Sequence, residues 1–288
     1  ERMIFTFKSR IWTRYLLMII CLAGSGMVNG QDVLQLGLYH QRDSQRAFSG
    51  IEGLNVQQID TGLMSPLFVK PTHAGLWALA AHVKESRFNL SGITQATRRF
   101  YRFSVALDYQ PRQVGRWQYR WHIEPSHYAD ESIFQQKRLA LEFETLAHYR
   151  INKRVAWVVG ARQDSRFGDS RIYPVFGLQS RPNKKWHHHW VFPDIYSEYR
   201  LKPKTKARLF TSPSGGSWRY LEADSSIATF GINGWNIGLK FQQKTKSPFE
   251  LSLELGTKIL GEGSVAGQKG NLDNAYYIKI MLGKPIRF

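Results

Sequence analysis

The sequence predicts an all-β protein: a closed antiparallel transmembrane β-barrel of about 14 strands, with roughly 12 as the alternative count, preceded by a signal peptide. Three observations carry this expectation. Apolar and polar residues alternate at period two along most of the chain, the connections between the alternating segments are of two kinds, tight and long, and residues 1–30 have the order of an export signal.

Within that first segment Lys8, Arg10 and Arg14 precede the apolar run Tyr15 to Ala23, and small or polar residues follow up to Val28-Asn29-Gly30. A basic stretch, a short apolar stretch and a small-residue cleavage site are the three parts of a secretory signal. Cleavage is expected before Gln31, so residues 1–30 are removed and residues 31–288 form one barrel domain. An anchor helix is the alternative, but the run falls short of the roughly 20 apolar residues that a span needs. Cys21, the single cysteine, leaves with the signal, and Ile20 before it is too large for a lipoprotein acylation site. The mature chain therefore has no disulfide option.

The alternation is clearest at 117–124, where Trp117, Tyr119, Trp121 and Ile123 interleave with Gln118, Arg120, His122 and Glu124. Successive side chains of a strand point to opposite faces, so one face is aromatic and the other ionic. Phe103, Val105, Leu107 and Tyr109 stand against Arg102, Ser104, Ala106 and Asp108. Leu139, Leu141, Phe143 and Tyr149 stand against Arg138, Glu142, Glu144 and His148. Ile237, Leu239 and Phe241 oppose Asn236, Lys240 and Gln242, and Leu251, Leu253 and Leu255 oppose Glu250, Ser252 and Glu254. A soluble sandwich also alternates, but its strands run about 5 to 6 residues, and several of these runs are longer. The mean hydropathy of −0.38 fits a barrel, because half of each barrel strand faces the lumen.

Tight connections are expected at Pro111 to Gly115, Asn152-Lys153, Pro182-Asn183-Lys184, Pro203-Lys204-Thr205 and Lys246-Ser247-Pro248. Long polar ones are expected at Glu85 to Ala96, Pro125 to Phe134, Asp164 to Ser170, Ser212 to Phe230 and Gly261 to Asp273. In an outer-membrane barrel the short set faces the periplasm and the long set faces outward. Tyr109, Trp117, Tyr149, Trp157, Trp186 and Tyr199 flank the short turns, as interfacial girdles do. The strand count reaches the higher figure if Leu34 to Gln41, Leu54 to Leu67 and a hairpin at Pro193-Asp194 are all real.

The chain carries 40 basic and 22 acidic residues, a net charge of +18. Loss of the signal takes Arg2, Lys8, Arg10 and Arg14 with Glu1, so most of the excess stays. Such an excess points to anionic partners: outer-membrane lipid, lipopolysaccharide phosphates or small anionic solutes. An exported protein rarely meets nucleic acid, which excludes that class; dispersed solvated charge is the alternative reading. The basic residues expected to face the lumen are Arg102, Arg116, Arg120, Arg138, Arg162, Arg200, Lys240, Lys258 and Lys279. They are mixed with Asp108, Glu124, Glu142, Glu144, Glu198 and Glu254. These charges either set the ion preference of a narrow channel or binding site, or pair into a filled interior that leaves a structural or surface-interaction barrel.

At the C-terminus Tyr276, Ile278, Ile280, Leu282, Ile286 and Phe288 share one face. The pattern Met281-x-Gly283-x-x-Ile286-x-Phe288 resembles the signal by which the barrel assembly machinery recognises its clients, and it implies strand addition during biogenesis through Gly283, Ile286 and Phe288. Met281 departs from the polar residue usual at the first position. Residues 154–288 are similar to an uncharacterised family of bacterial outer-membrane barrels, a domain of unknown function. The similarity rests on Tyr173-Pro174-Val175-Phe176-Gly177-Leu178, on Trp190 to Pro193 leading to Tyr199-Arg200-Leu201, and on Gly215-Gly216-x-Trp218. It implies fold and location and supplies no activity.

Three motifs invite chemistry. His187-His188-His189 offers imidazole ligands, but only His187 and His189 share a strand face. Ser126-His127 beside Asp130 and Glu131 has the ingredients of a hydrolase without showing that they meet. Gly215-Gly216 lacks the lysine of a phosphate-binding loop. No catalytic residue, metal ligand or cofactor is assigned. An enzyme acting on outer-membrane lipids is kept as the least favoured reading, since no serine-histidine signature of the barrel phospholipases or lipid A deacylases is found.

Overall fold

The computed structural model describes residues 34–91, 96–130, 138–221, 227–245, 249–265 and 268–286. The expected signal segment and Phe288 lie outside them. The strand segments are β1 (Leu34–Asp43), β2 (Arg46–Ala47), β3 (Asn55–Pro71), β4 (Gly75–Ser91), β5 (Ala96–Pro111) and β6 (Trp117–Asp130). They continue with β7 (Arg138–Arg150), β8 (Val155–Asp164), β9 (Arg171–Ser180), β10 (Trp186–Phe192), β11 (Asp194–Lys202) and β12 (Thr205–Pro213). The last are β13 (Gly216–Leu221), β14 (Ile227–Lys244), β15 (Glu250–Val265), β16 (Gln268–Leu272) and β17 (Ala275–Ile286). All pair antiparallel in one sheet.

The sheet closes through β1, whose Leu38 stands opposite Leu63 of β3 on one side and Leu282 of β17 on the other. Three segments are continuations rather than new staves. β2 extends β1, β13 extends β12 and β16 leads into β17, each across a two-residue break. The circuit therefore has 14 staves, the higher of the two expected counts, and the segments at Leu34, Leu54 and the Pro193 hairpin are all strands.

The faces are inverted relative to a water-soluble protein. Phe103, Val105, Leu141, Phe176, Leu239 and Ile280 are exposed on the outside, while Asp108, Glu124, Glu144, Glu198 and Lys258 are buried inside. Among the described residues each of the 14 staves is paired on both sides, and that is the condition for a sheet to sit in hydrocarbon. Aromatic rings pack together beside the short turns: Trp77 lies 4.1 Å from Tyr109, Trp117 4.8 Å from Tyr149 and Trp186 4.8 Å from Tyr199, centre to centre. A closed barrel with this exterior is a transmembrane β-barrel of the bacterial outer membrane.

Most of the expected long loops are corrected to strand. Residues 85–91 belong to β4, 125–130 to β6, 216–221 to β13, 227–230 to β14, 261–265 to β15 and 268–272 to β16. They read as loops because their exteriors are polar. Beyond the lipid band water covers the outer face, so the apolar half of the alternation is no longer required. The stretch between Asp164 and Arg171 is a loop, as expected.

These extensions are uneven, since β8 to β12 have 7 to 10 residues while β3 to β6 have 14 to 17. Irregularities on five neighbouring staves lie side by side. They are the breaks at 44–45, 214–215 and 273–274, the register shift between Asn233 and Trp235, and Leu260 with φ at 51°. Together they form a hinge line across β12 to β1. The wall beyond it bends inward, and β13 approaches β6 across the lumen.

Candidate functional site: the barrel lumen

Two layers fill the interior, and the hinge line separates them. Beyond it, the folded wall brings Phe48, Trp218, Phe230, Ile232 and Leu272 onto Leu54, Val56, Phe88 and Phe100 of the opposite wall, and all are buried. The Phe88 ring lies 4.5 Å from Phe230 and 4.8 Å from Trp218. An apolar plug thus spans the lumen beyond the hinge line, at the end away from the short turns. Its location follows from Gly215-Gly216, because a side chain at Gly215 would strike the backbone of Ile232, Arg166 and Asn233. The glycine pair lets β12 turn inward and delivers Trp218.

Beneath the plug is a cavity of about 590 Å³ that reaches staves on opposite sides of the barrel. Its wall carries six bases, Lys84, Arg102, Arg166, Arg208, Lys258 and Lys279, against four carboxylates, Asp60, Glu142, Asp194 and Glu254. On one side the charges are knitted together. Glu124 accepts from Arg102 Nη2 at 2.9 Å and from the Ser104 hydroxyl, and it contacts His82 Nδ1 at 3.1 Å and His122 Nε2 at 3.2 Å. Arg102 continues to Glu142 at 3.0 Å, and His122 to Asp108 at 3.2 Å. Arg120 bonds Asp108 at 2.8 Å and approaches Glu144. Arg162 joins Glu144 to Asp194, and Arg166 meets Asp194 at 2.7 Å. Arg166 comes from the loop after β8. Burial alone pushes its guanidinium down, but Asp194 and Asp164 outweigh this and hold it above the ordinary arginine value.

The opposite wall is less neutral. In one row across five staves Glu198, Arg208, Lys240, Glu254 and Lys279 are successive register partners. Arg208 Nη2 donates to Glu198 at 2.7 Å, and Glu254 accepts from the Tyr277 hydroxyl at 3.1 Å. Lys279 Nζ lies 4.7 Å from the Tyr39 ring centre. Neither Lys240 nor Lys279 forms an ion pair among the described residues. Just below the plug Lys258 Nζ meets Asp43 at 2.6 Å and donates to Gln58 at 3.1 Å. Arg46 is buried beside them with Nε and Nη2 unpartnered among the described residues.

Of the basic residues singled out from sequence, Arg102, Lys258 and Lys279 line the cavity. Arg120 and Arg162 lie in the ionic network, and Lys240 lies in the basic row. Arg200 is exposed near the short-turn end of β11. Arg116 is exposed in the β5–β6 connection, where Val114 and Trp117 close the hairpin and β6 starts at Trp117. Arg138 lies on β7 opposite Tyr128, with its side chain outside the described residues. Gly283 and Ile286 are paired to Gly37 and Leu34 of β1. Sequence reasoning missed Lys84, Arg166 and Arg208. Arg166 is on a loop without periodicity, and β12 places Phe210 on the same inward side as Arg208, which blurs its alternation.

The three chemical motifs separate in space. His187 and His189 both lie against Tyr196, and His189 contacts Gln179 at 2.8 Å, whereas His188 stacks between Trp186 and Trp190. No group of three or more His, Cys, Asp or Glu is placed to hold a metal among the described residues. Ser126 is buried and accepts from Arg102 Nε at 3.1 Å, while His127 follows it on the exposed face of β6. That separates the expected nucleophile from its base. The side chain of Asp130, and Glu131 altogether, fall outside the described residues.

Among curated proteins no sequence matches this chain. Several solved structures are similar in architecture. The toluene transporter TodX of Pseudomonas putida matches at TM-score 0.47 and 8% identity over 89% of this chain and 90% of that one. An outer membrane channel from Pseudomonas putida F1 matches at 0.47 and 9% over 91% and 99%. The translocator domain of autotransporter NalP from Neisseria meningitidis matches at 0.38 and 10% over 98% and 96%. These are likenesses of barrel architecture and nothing finer. The family model is more direct: over residues 70–276, most of its length, the chain matches and belongs to the family described as a domain of unknown function, DUF6268.

Proposed function

We propose that the barrel is a narrow channel, or binding site, for small anionic solutes. The observation that carries this reading is the cavity wall, where Lys279 and the neighbouring Lys240 lack ion-pair partners beside Arg208. Cationic groups that form no ion pair in a confined lumen favour anion entry and set ion preference. The cavity is large enough for a small organic anion, and the ionic network opposite gives it a fixed wall.

Planar-bilayer recordings with the purified chain test the reading. In a salt gradient the reversal potential is expected to report anion preference, and Lys279→Glu with Lys240→Glu is expected to reduce or reverse it. Cation preference in the unaltered protein, or unchanged selectivity in the double variant, overturns the proposal.

The apolar plug favours a second reading, a barrel with a filled outer mouth whose role lies at its surface. Recording the Trp218→Ala variant separates the two. Channel events that become more frequent or larger support a gated conduit, and silence in both proteins supports the filled barrel.

A further inference from the structure

The excess of positive charge is not spread evenly. Segments 66–77, 109–119, 148–157, 179–189 and 199–209, which hold the five short turns from β3 to β12, contain no aspartate or glutamate. Exposed bases occupy every one of them: Lys70 before the first turn, Arg112 and Arg116 in the second, Lys153 and Arg154 in the third. Lys184 and Lys185 follow in the fourth, and Lys202 and Lys204 in the fifth. The other end is mixed, with Asp164 and Asp169 beside Arg166 and Arg171, and Glu262 near Lys269.

We infer that this end of the barrel is a binding surface for anionic phospholipid headgroups of the periplasmic leaflet. Three features choose lipid over other anions. The charge runs past ten consecutive staves, and a leaflet surrounds a barrel whereas a docked protein covers one side. The bases lie next to the girdle of Trp77, Trp117, Trp157 and Trp186, whose rings mark the boundary between acyl chains and headgroups. Their flexible stems also let the charged heads reach phosphate while the methylenes stay against the rim. Positively charged side chains near an anionic leaflet are attracted within a Debye length of it, so the effect must weaken with salt.

The test uses the full chain, refolded into vesicles of phosphatidylcholine and phosphatidylglycerol in equal parts, with spin-labelled lipids reporting which headgroup is held at the barrel surface. Phosphatidylglycerol is expected to be enriched about threefold or more over phosphatidylcholine at low salt and to approach parity at high salt. The variant Lys153→Glu, Arg154→Glu, Lys184→Glu, Lys185→Glu is expected to lose at least half of that enrichment, and Arg87→Glu with Arg171→Glu at the other end to keep it. If the fourfold variant does not fold, Lys202→Glu with Lys204→Glu replaces it. No enrichment in the unaltered protein overturns the inference. So does enrichment that the turn variants leave intact while channel selectivity falls, because the ring would then serve solute entry. Labelling of Lys184→Cys by an impermeant maleimide on intact cells would place the turns outside and overturn the choice of leaflet.

Discussion

Glu124 shows how single side chains organise this interior. It is buried among Arg102, His82, His122 and Ser104, and its carboxylate is the point at which three neighbouring staves are tied. Removing one partner from a buried ionic cluster leaves the others uncompensated. Glu124→Ala is therefore expected to destabilise the barrel by about 3 kcal/mol or more, read as a lower urea midpoint in vesicles. Glu124→Gln, which keeps hydrogen-bonding capacity, should lose less. Trp218 plays the matching role in the apolar layer, packed on Phe88, Phe100 and Phe230. Trp218→Ala is expected to cost about 3–5 kcal/mol through the cavity it leaves. It should also raise conductance if the cluster closes a conduit.

At the scale of elements, the residues that carry the family resemblance prove structural. Gly177 of β9 stands opposite Val191 of β10, and its φ of 154° sets its Cα against the carbonyl of Trp190, a position with no room for a side chain. Tyr173, Val175 and Val191 then pack with Leu146 and Val158 inside the wall, with Phe167 and Phe192 at the edge of the cluster. Gly177→Val is expected to block the β9–β10 pairing, so that the protein fails to give the compact, heat-modifiable band of a folded barrel in electrophoresis. The hinge line is likewise a property of neighbouring elements. The break after β1, the glycine pair after β12 and the kink at Leu260 are individually unremarkable, and their alignment bends one wall into a plug.

Lipid outside and charge inside define the molecule as a whole, and a position's effect depends on which side it faces. Leu239→Arg on the exposed face of β14 is expected to cost about 2–4 kcal/mol if it lies near the bilayer midplane. Lys240→Arg on the inward face of the same strand should leave the unfolding midpoint nearly unchanged, and denaturant titration in vesicles compares the two directly. The alternation of 102–109, 117–124 and 139–149 makes these faces legible in the sequence, because a strand's period of two assigns each residue to one side. A period of two carries no information about height along the barrel axis. Glu85 to Ser91 and Gly261 to Val265 are strands that read as loops, since above the lipid band nothing demands an apolar exterior.

The sequence by itself determined the strand faces, the short turns and the basic excess, which follow from local periodicity, turn chemistry and composition. Only the tertiary structure decided which charges neutralise one another and which, like Lys240 and Lys279, do not. It alone placed Trp218 against Phe88 and set Arg166 over the cavity. Those outcomes depend on the curvature and closure of the sheet, which bring together residues far apart in the chain, and no local pattern encodes which of them will meet.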